Sequence, residues 1–577
     1  MPSMSVATQA ALYREQTRNV TTHEEIDRAL AALEQGKARW RKLSIGERVN
    51  LAQACLDGMY TVAEDWINRA CAAKGIEPGD PARAEEVGNG PMATARYLRL
   101  LMQSLQDIHR HGVPQLPGEI VTGPDGRLRV QVVPTKGLFD GIAFQGFKAH
   151  VWQQPGVTRE NLRETQATYY QRGCTDEGIS LVLGAGNVSS IPPTDAFSKL
   201  FHEGKVVLLK MNPVNEYLGP VFERAFAPLI QAGYLQIIYG GADVGAYATQ
   251  HALVDEVHIT GSALSHNTIV WGPPGEDRER RMAAGDPLLK KEITSELGNV
   301  TPWIVVPAQY TDKELRFQAE NLASTIVNNA SFNCIATKMV VTCRSWPQRE
   351  QFLGYLKQVL AGVQPRQAYY PGAEERYRKF ANGEPQGCSA GALPWKFVAD
   401  VNPDRDPLYF EEESFVSVFA ETAIEADDSA QFLSRATDFA NHRLWGTLGA
   451  AVMLPPRLRK EPGFEAAYQK MLADLRYGTI GVNHWPALSY AMMSTPWGGY
   501  PGGTLRDPQS GIGWVHNTYM LERAEKSVLE GPLTLFPKPI WFPSNRGAEG
   551  TVRKVLDLYR NPSIWKLPGL MLAAIRT

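Results

Sequence analysis

The sequence is poor in cysteine. Its six (Cys55, Cys71, Cys174, Cys334, Cys343 and Cys388) are scattered over 577 residues, with no CxxC pair and no Cys/His zinc spacing. That excludes a disulfide scaffold and fits a reducing compartment. Net charge is missing as well. With 59 Lys+Arg against 61 Asp+Glu the formal charge is −2, so no bulk field exists to hold nucleic acid or an anionic bilayer. No apolar run reaches the ~18 residues that cross a membrane; the nearest, 568–575, is too short and contains Pro568. The opening segment MPSMSVATQAALYREQTRN has no basic head, apolar stretch or cleavage site, so a cytoplasmic protein is expected. What is present is core-forming material. A composition of 44% hydrophobic and 21% charged residues excludes a wholly disordered or collagen-like chain, and the length suggests about four domain-sized units.

Residues 22–115 read as amphipathic helices. Thr22 with Glu25, and Ser44 with Glu47, have the spacing of capping boxes, each ahead of an apolar series at helical intervals. The stretch 127–152 is rich in β-branched and aromatic residues and reads as strands, with Pro134 favouring an edge position. From about 179 the pattern alternates: ISLVLGAG, KVVLLK, LQIIYGG and EVHITG are strand-like, with helical segments between them. NVTPWIVV and KMVVTC, with helices near 313–330 and 347–361, repeat the arrangement. The fold class is therefore α/β, with two open parallel sheets. The Gly/Pro/charge-rich stretch 272–287 reads as a linker or surface loop between them.

Two residues stand where reactive groups collect. Cys334, in NNASFNC, follows a predicted helix and precedes a strand, in an Asn- and Ser-rich stretch that can leave it accessible near backbone N–H donors. Glu296, in ELGN, is read on a turn immediately before the strand VTPWIVV. Taken alone, a free Cys is more often a small buried apolar residue, and such a Glu is more often solvated or ion-paired. His109 and His111 lack a matching ligand set and read as surface residues, so no metal is expected.

The combination of ELGN, a buried strand and NNASFNC resembles the glutamate and cysteine signatures of the aldehyde dehydrogenase superfamily. Further segments fall in that family's order: WRKLSIGER, GAGNVSSIPP, KVVLLKMNP, HITGS, EEESFVSV, ANHRLWGTLGAAV and PWGGYPGGTLRDPQSGIG. The resemblance implies two Rossmann-like open-sheet α/β domains plus a small β oligomerisation extension. It divides the chain into residues 1–126 with 153–295 for the dinucleotide, 296–524 for catalysis, 127–152 with 525–540 for the extension, and a tail, 541–577. It makes Cys334 the nucleophile, Glu296 the general base and Asn187 the oxyanion donor. Lys210, Gly261, Ser262, Glu413 and Phe415 become the residues that bind NAD or NADP. The implied reaction is oxidation of an aldehyde to a carboxylic acid in a homodimer or homotetramer. A CoA-acylating enzyme and a non-catalytic binding or scaffold protein are the alternatives, and Glu296, a base for water attack, argues against the first.

The chain also departs from the family. Pro213 stands where NAD-preferring relatives often carry a glutamate, Ala196 where a lysine is common, and His266 where a second glycine is usual. Trp485, Tyr490, Met492, Met493 and Trp497 suggest a wide apolar pocket for a long-chain or aromatic substrate. For the tail three readings stand: docking on its own or a neighbouring subunit, a lid over the substrate tunnel, and peripheral membrane contact, the last least favoured because so short an apolar segment binds weakly.

Overall fold

Both expected capping boxes form. Thr22 caps the helix His23–Lys42, with Glu25 reaching back to the Thr22 N–H at 2.8 Å, and Ser44 with Glu47 does the same for Ile45–Ala73. The computed structural model describes residues 20–576; the segment read for a targeting signal lies outside the described residues. Ile26, Leu30 and Leu33 form the buried stripe of the first helix, and Trp40 ends it under the buried guanidinium of Arg48, 4.6 Å from the indole centroid. These helices and Ala93–His111 share one core with the first sheet.

That sheet has six strands in the order Gly511–Ile512, Glu292–Glu296, Glu256–Thr260, Ile179–Leu183, Val206–Lys210, Leu235–Ile238. All its pairings are parallel except at the Gly511 edge. The chain builds outward from Ile179–Leu183 to one side, then crosses to build Glu256–Thr260 and Glu292–Glu296 on the other. Such a reversal opens a crevice beyond the carboxyl ends of the two central strands, where ligands bind in open α/β sheets.

The second sheet has ten strands. Its parallel part runs Ala524–Glu530, Thr479–Val482, Gly449–Met453, Thr301–Val305, Thr337–Cys343, Val418–Ile424, Lys396–Val398. The antiparallel strands Ile120–Thr122, Leu128–Val133 and Lys148–Gln153 continue it past Ala524–Glu530. Thus 127–152 does form strands, but Pro134 lies just after an interior strand rather than on an edge; the edge belongs to Ile120–Thr122, too short to stand out in the sequence.

The 272–287 stretch differs from a plain loop. Glu276–Ala284 is a helix with no buried residue, because EDRERRMAA consists of good helix formers while Gly275 and Gly285 bound it. The tail docks on its own chain. Helix Ala548–Arg560 sets Val552 and Leu556 into the N-terminal helical core, and Tyr60 donates to the Leu556 carbonyl at 2.7 Å. The last helix, Leu567–Ile575, buries Leu567 and Leu570 while Trp565, Met571, Leu572 and Ile575 stay exposed. No helix among the described residues is long and apolar enough to cross a membrane.

Candidate active site

The crevice at the first sheet's reversal meets the amino-terminal edge of the second sheet in a cleft of about 750 Å³. Asn187, Lys210, Gly261, Ser262, Glu296, Cys334, Glu413 and Phe415 all line it. Topology explains the convergence. Asn187 follows Ile179–Leu183, Lys210 ends its strand, and Gly261 and Ser262 follow Glu256–Thr260. From the other sheet, Cys334 precedes Thr337–Cys343, while Glu413 and Phe415 precede the neighbouring Val418–Ile424.

Glu296 is not on a turn as expected. It is the last residue of the strand Glu292–Glu296, paired with Thr260, so the sheet fixes its direction; ELGN reads as a turn because the break falls one residue later. Its side chain is buried and Oε1 has no hydrogen-bond partner. Burial pushes this carboxyl up to about 8; the Cys334 thiol pulls it down, and Asp195 adds to the rise. Cys334 is half-buried, and burial, with Glu296 and Glu413 nearby, raises its thiol well above the ordinary range. The resting pair is therefore neutral at pH 7: a protonated thiol beside a largely protonated carboxyl.

The Cys334 loop is strained and clamped. Asn329, Ala330 and Ser331 all have positive φ, at 52°, 54° and 71°, a conformation costly for residues with a Cβ. Asn329 Nδ2 donates to the carbonyls of Asn187 (2.9 Å) and Phe332 (3.0 Å), while its Oδ1 accepts from Lys74 Nζ and Tyr369 Oη, both at 2.9 Å. Lys74 also pairs with Glu86 at 2.8 Å, both fully enclosed, and reaches the Asn187 carbonyl at 3.1 Å. Lys338 holds the far end, donating to Ser331 Oγ (2.8 Å) and the Val416 carbonyl (2.7 Å). Asn187 Nδ2 itself donates to the Phe332 carbonyl at 3.0 Å. An amide nitrogen carries two hydrogens, so that bond orients the group and leaves one donor for a ligand.

Sequence reasoning missed Lys74, Glu86 and Tyr369 of this clamp, because Lys74 and Tyr369 reach Asn187 across 113 and 182 positions and Glu86 acts only through Lys74. It also missed Arg376, which lines the cleft with Nε and Nη2 unpartnered.

The other half of the cleft has the chemistry expected of a dinucleotide site. Ser262 caps the helix Ala263–Trp271, accepting from the Ser265 N–H at 3.1 Å, and leaves the helix's first backbone donors at the cleft. Lys210 Nζ reaches only the Met211 carbonyl, at 3.2 Å, and burial lowers its pKa. Glu413 Oε1 is buried without a partner, and burial pushes this carboxyl up to about 8. A Cβ on Gly298 would stand 1.9 Å from Glu413 Oε2, so only glycine leaves that carboxylate its place. Leu264 and Leu288, among the few exposed large apolar residues, line the outer cleft. His266 is fully buried, with Nε2 unpartnered. His109 and His111 are exposed, as expected, and no His/Cys/Asp/Glu group among the described residues could hold a metal.

A second cavity, of about 130 Å³, also reaches Cys334, the single residue lining both spaces. Trp485, Tyr490 and Trp497 wall it, but Met492 and Met493 are buried in the core. The expected pocket is thus apolar but narrow, and the two methionines do not line it.

No family model matches the sequence, and no curated protein matches it. Solved structures do match in three dimensions. A glyceraldehyde-3-phosphate dehydrogenase from Methanocaldococcus jannaschii, complexed with NADP, is 14% identical, with TM-score 0.58 over 89% of this chain and 96% of its own. Aldehyde dehydrogenase C from Pseudomonas syringae, complexed with NAD+ and octanal, is 17% identical, with TM-score 0.57 over 88% and 89%. An NAD-dependent aldehyde dehydrogenase from Sinorhizobium meliloti is 17% identical, with TM-score 0.58 over 88% and 87%. These likenesses show the fold.

Proposed function

We propose that this chain, which has the aldehyde dehydrogenase fold, is an NAD(P)-dependent aldehyde dehydrogenase that forms a carboxylic acid through a thioester on Cys334. The observation that carries the reading is the convergence of Cys334, Glu296 and Asn187 at one end of a cleft whose other end offers Lys210 and an open helix N-terminus. A purely structural protein has no use for an unpartnered buried carboxyl beside a thiol.

The residues fit a dinucleotide. Gly261, Ser262 and the following backbone donors would meet the diphosphate, Lys210 a ribose, Leu264 and Leu288 the adenine, and Glu413 with Phe415 the nicotinamide ribose. The nicotinamide, when bound, supplies the hydride acceptor. Glu296, in its ionised fraction, takes the Cys334 proton, and the thiolate adds to the aldehyde carbon, forming a C–S bond. The second Asn187 amide hydrogen and the Cys334 backbone N–H receive the negative oxygen. After the carbon is oxidised to a thioester and Glu296 has released the thiol's proton to solvent, Glu296 takes a proton from water as it attacks and later returns it to the leaving sulfur. The C–S bond then breaks, releasing the acid and restoring the thiol.

Assembly as a homodimer or homotetramer and a cytoplasmic setting belong to the same proposal, through the resemblance. Reduced-cofactor absorbance, followed with an aldehyde panel and either nucleotide, tests the reading. Turnover without CoA is the expected result. No signal with any aldehyde would support a scaffold, and a strict need for CoA would support acylation.

A further inference from the structure

The smaller cavity shows what the site is built to hold. Its wall combines Trp485, Tyr490 and Trp497 with Ile540, Trp541 and Val552 from the C-terminal segment. Most polar groups along it are already satisfied, the neutral Trp497 Nε1 being left without a partner. Glu85, the only charged lining residue, is taken by Arg366 Nη1 at 2.7 Å and the Asn329 N–H at 2.9 Å. Trp541 Nε1 donates to Asn321 at 3.1 Å, Trp485 Nε1 to the Ile335 carbonyl at 2.8 Å, and Tyr490 Oη meets Ser190 Oγ at 2.7 Å. No cation lines the space to receive a phosphate or carboxylate. Its volume of about 130 Å³ is close to that of an apolar cavity, about 150 Å³, that takes benzene.

We infer that this cavity binds the non-reacting part of the substrate, an uncharged group about the size of one phenyl ring, and that Ile540 and Trp541 of the C-terminal segment set its length. The inference rests on the proposed dehydrogenase activity and deepens it. Trp541 is half-buried, held by the Asn321 bond and edge-on to His484 at 6.2 Å, so its ring is a fixed wall. Removing that wall lengthens the cavity. Enlarging Ile540 fills it.

The test compares kcat/KM for acetaldehyde, benzaldehyde, decanal and succinic semialdehyde in the intact chain, Trp541→Ala and Ile540→Phe. Benzaldehyde should be preferred. Ile540→Phe should lower its kcat/KM by about tenfold or more while acetaldehyde changes by less than about twofold, and Trp541→Ala should raise decanal by about tenfold, the scale of a methylene or two in an apolar pocket. A preference for succinic semialdehyde, or a profile that neither variant moves, overturns the inference. Trp541→Phe keeps a ring in place should the alanine variant fail to fold, and it should raise decanal less.

A separate readout handles failure of the activity itself. If the intact chain oxidises no aldehyde, the dehydrogenase reading falls, and the cavity is judged by acetophenone, which carries the ring but no oxidisable hydrogen. Saturable quenching of tryptophan fluorescence that weakens in Ile540→Phe supports the cavity's role in ring binding. Its absence overturns that role.

Discussion

Burial raises both groups, and Glu296 raises the Cys334 thiol further while that thiol draws Glu296 back down, so the pH dependence belongs to the pair. The proposed base Glu296 could act only when ionised, so kcat/KM should rise with pH and level off above about 8, where its carboxyl titrates. Glu296→Gln should remove that limb and cut the steady rate by about 10²-fold or more, leaving a burst of reduced cofactor followed by slow turnover. Stability runs the other way. A carboxyl whose folded pKa, about 8, exceeds the ordinary 4.5 binds a proton on folding, so the native state loses stability as pH rises from 4.5 through 8. The loss is at most about 5 kcal/mol. Urea titrations at pH 5 and 9 should show a smaller difference for Glu296→Gln than for the unaltered chain. Cys334→Ser should abolish covalent capture of aldehyde yet retain nucleotide binding by fluorescence titration; full turnover would refute the nucleophile assignment.

At the scale of elements, the Cys334 loop keeps its left-handed turn because Lys74, beyond the end of helix Ile45–Ala73, crosses to it and to the Asn187 carbonyl. Lys74→Met would leave Glu86 a buried, unpaired carboxylate, costing about 3–5 kcal/mol. Urea unfolding should report that loss, and alkylation of Cys334 should change rate as the loop relaxes. This part of the site was not legible in the sequence. Asn187, Glu296 and Cys334 each sit in a motif with local spacing, so their convergence could be expected from strand order. Lys74 lies in an unremarkable helix end, and its partner Asn329 is 255 positions away. The strand ending at Glu296 was likewise hidden, since ELGN has the composition of a turn while pairing with Glu256–Thr260 decides the outcome. Capping boxes, by contrast, are complete within four residues, and both were readable.

For the whole molecule, the C-terminal segment is part of the fold. Val552, Leu556 and Tyr559 are buried on one face of its helix, and Leu558 is buried against Leu567 and Leu570 of the last helix. Burial of a large apolar side chain contributes about 1.5–3 kcal/mol each, as an upper estimate. A chain cut before residue 541 should therefore lose several kcal/mol, read as a lower melting temperature by calorimetry. The sequence showed an amphipathic helix there but not its dock, because the receiving surface comes from helices far earlier in the chain, such as the one carrying Tyr60, 496 positions before Leu556. Its exposed apolar end, with Trp565, Met571, Leu572 and Ile575, finds no such dock among the described residues.

Since Cys334 alone is common to the larger cleft and the ring-sized cavity, the proposed mechanism would let oxidised and reduced nucleotide exchange while an acyl group still occupied its own chamber. Inhibition by the acid product should then be noncompetitive toward the nucleotide and competitive toward the aldehyde. A single shared doorway would have made the two leave in strict order.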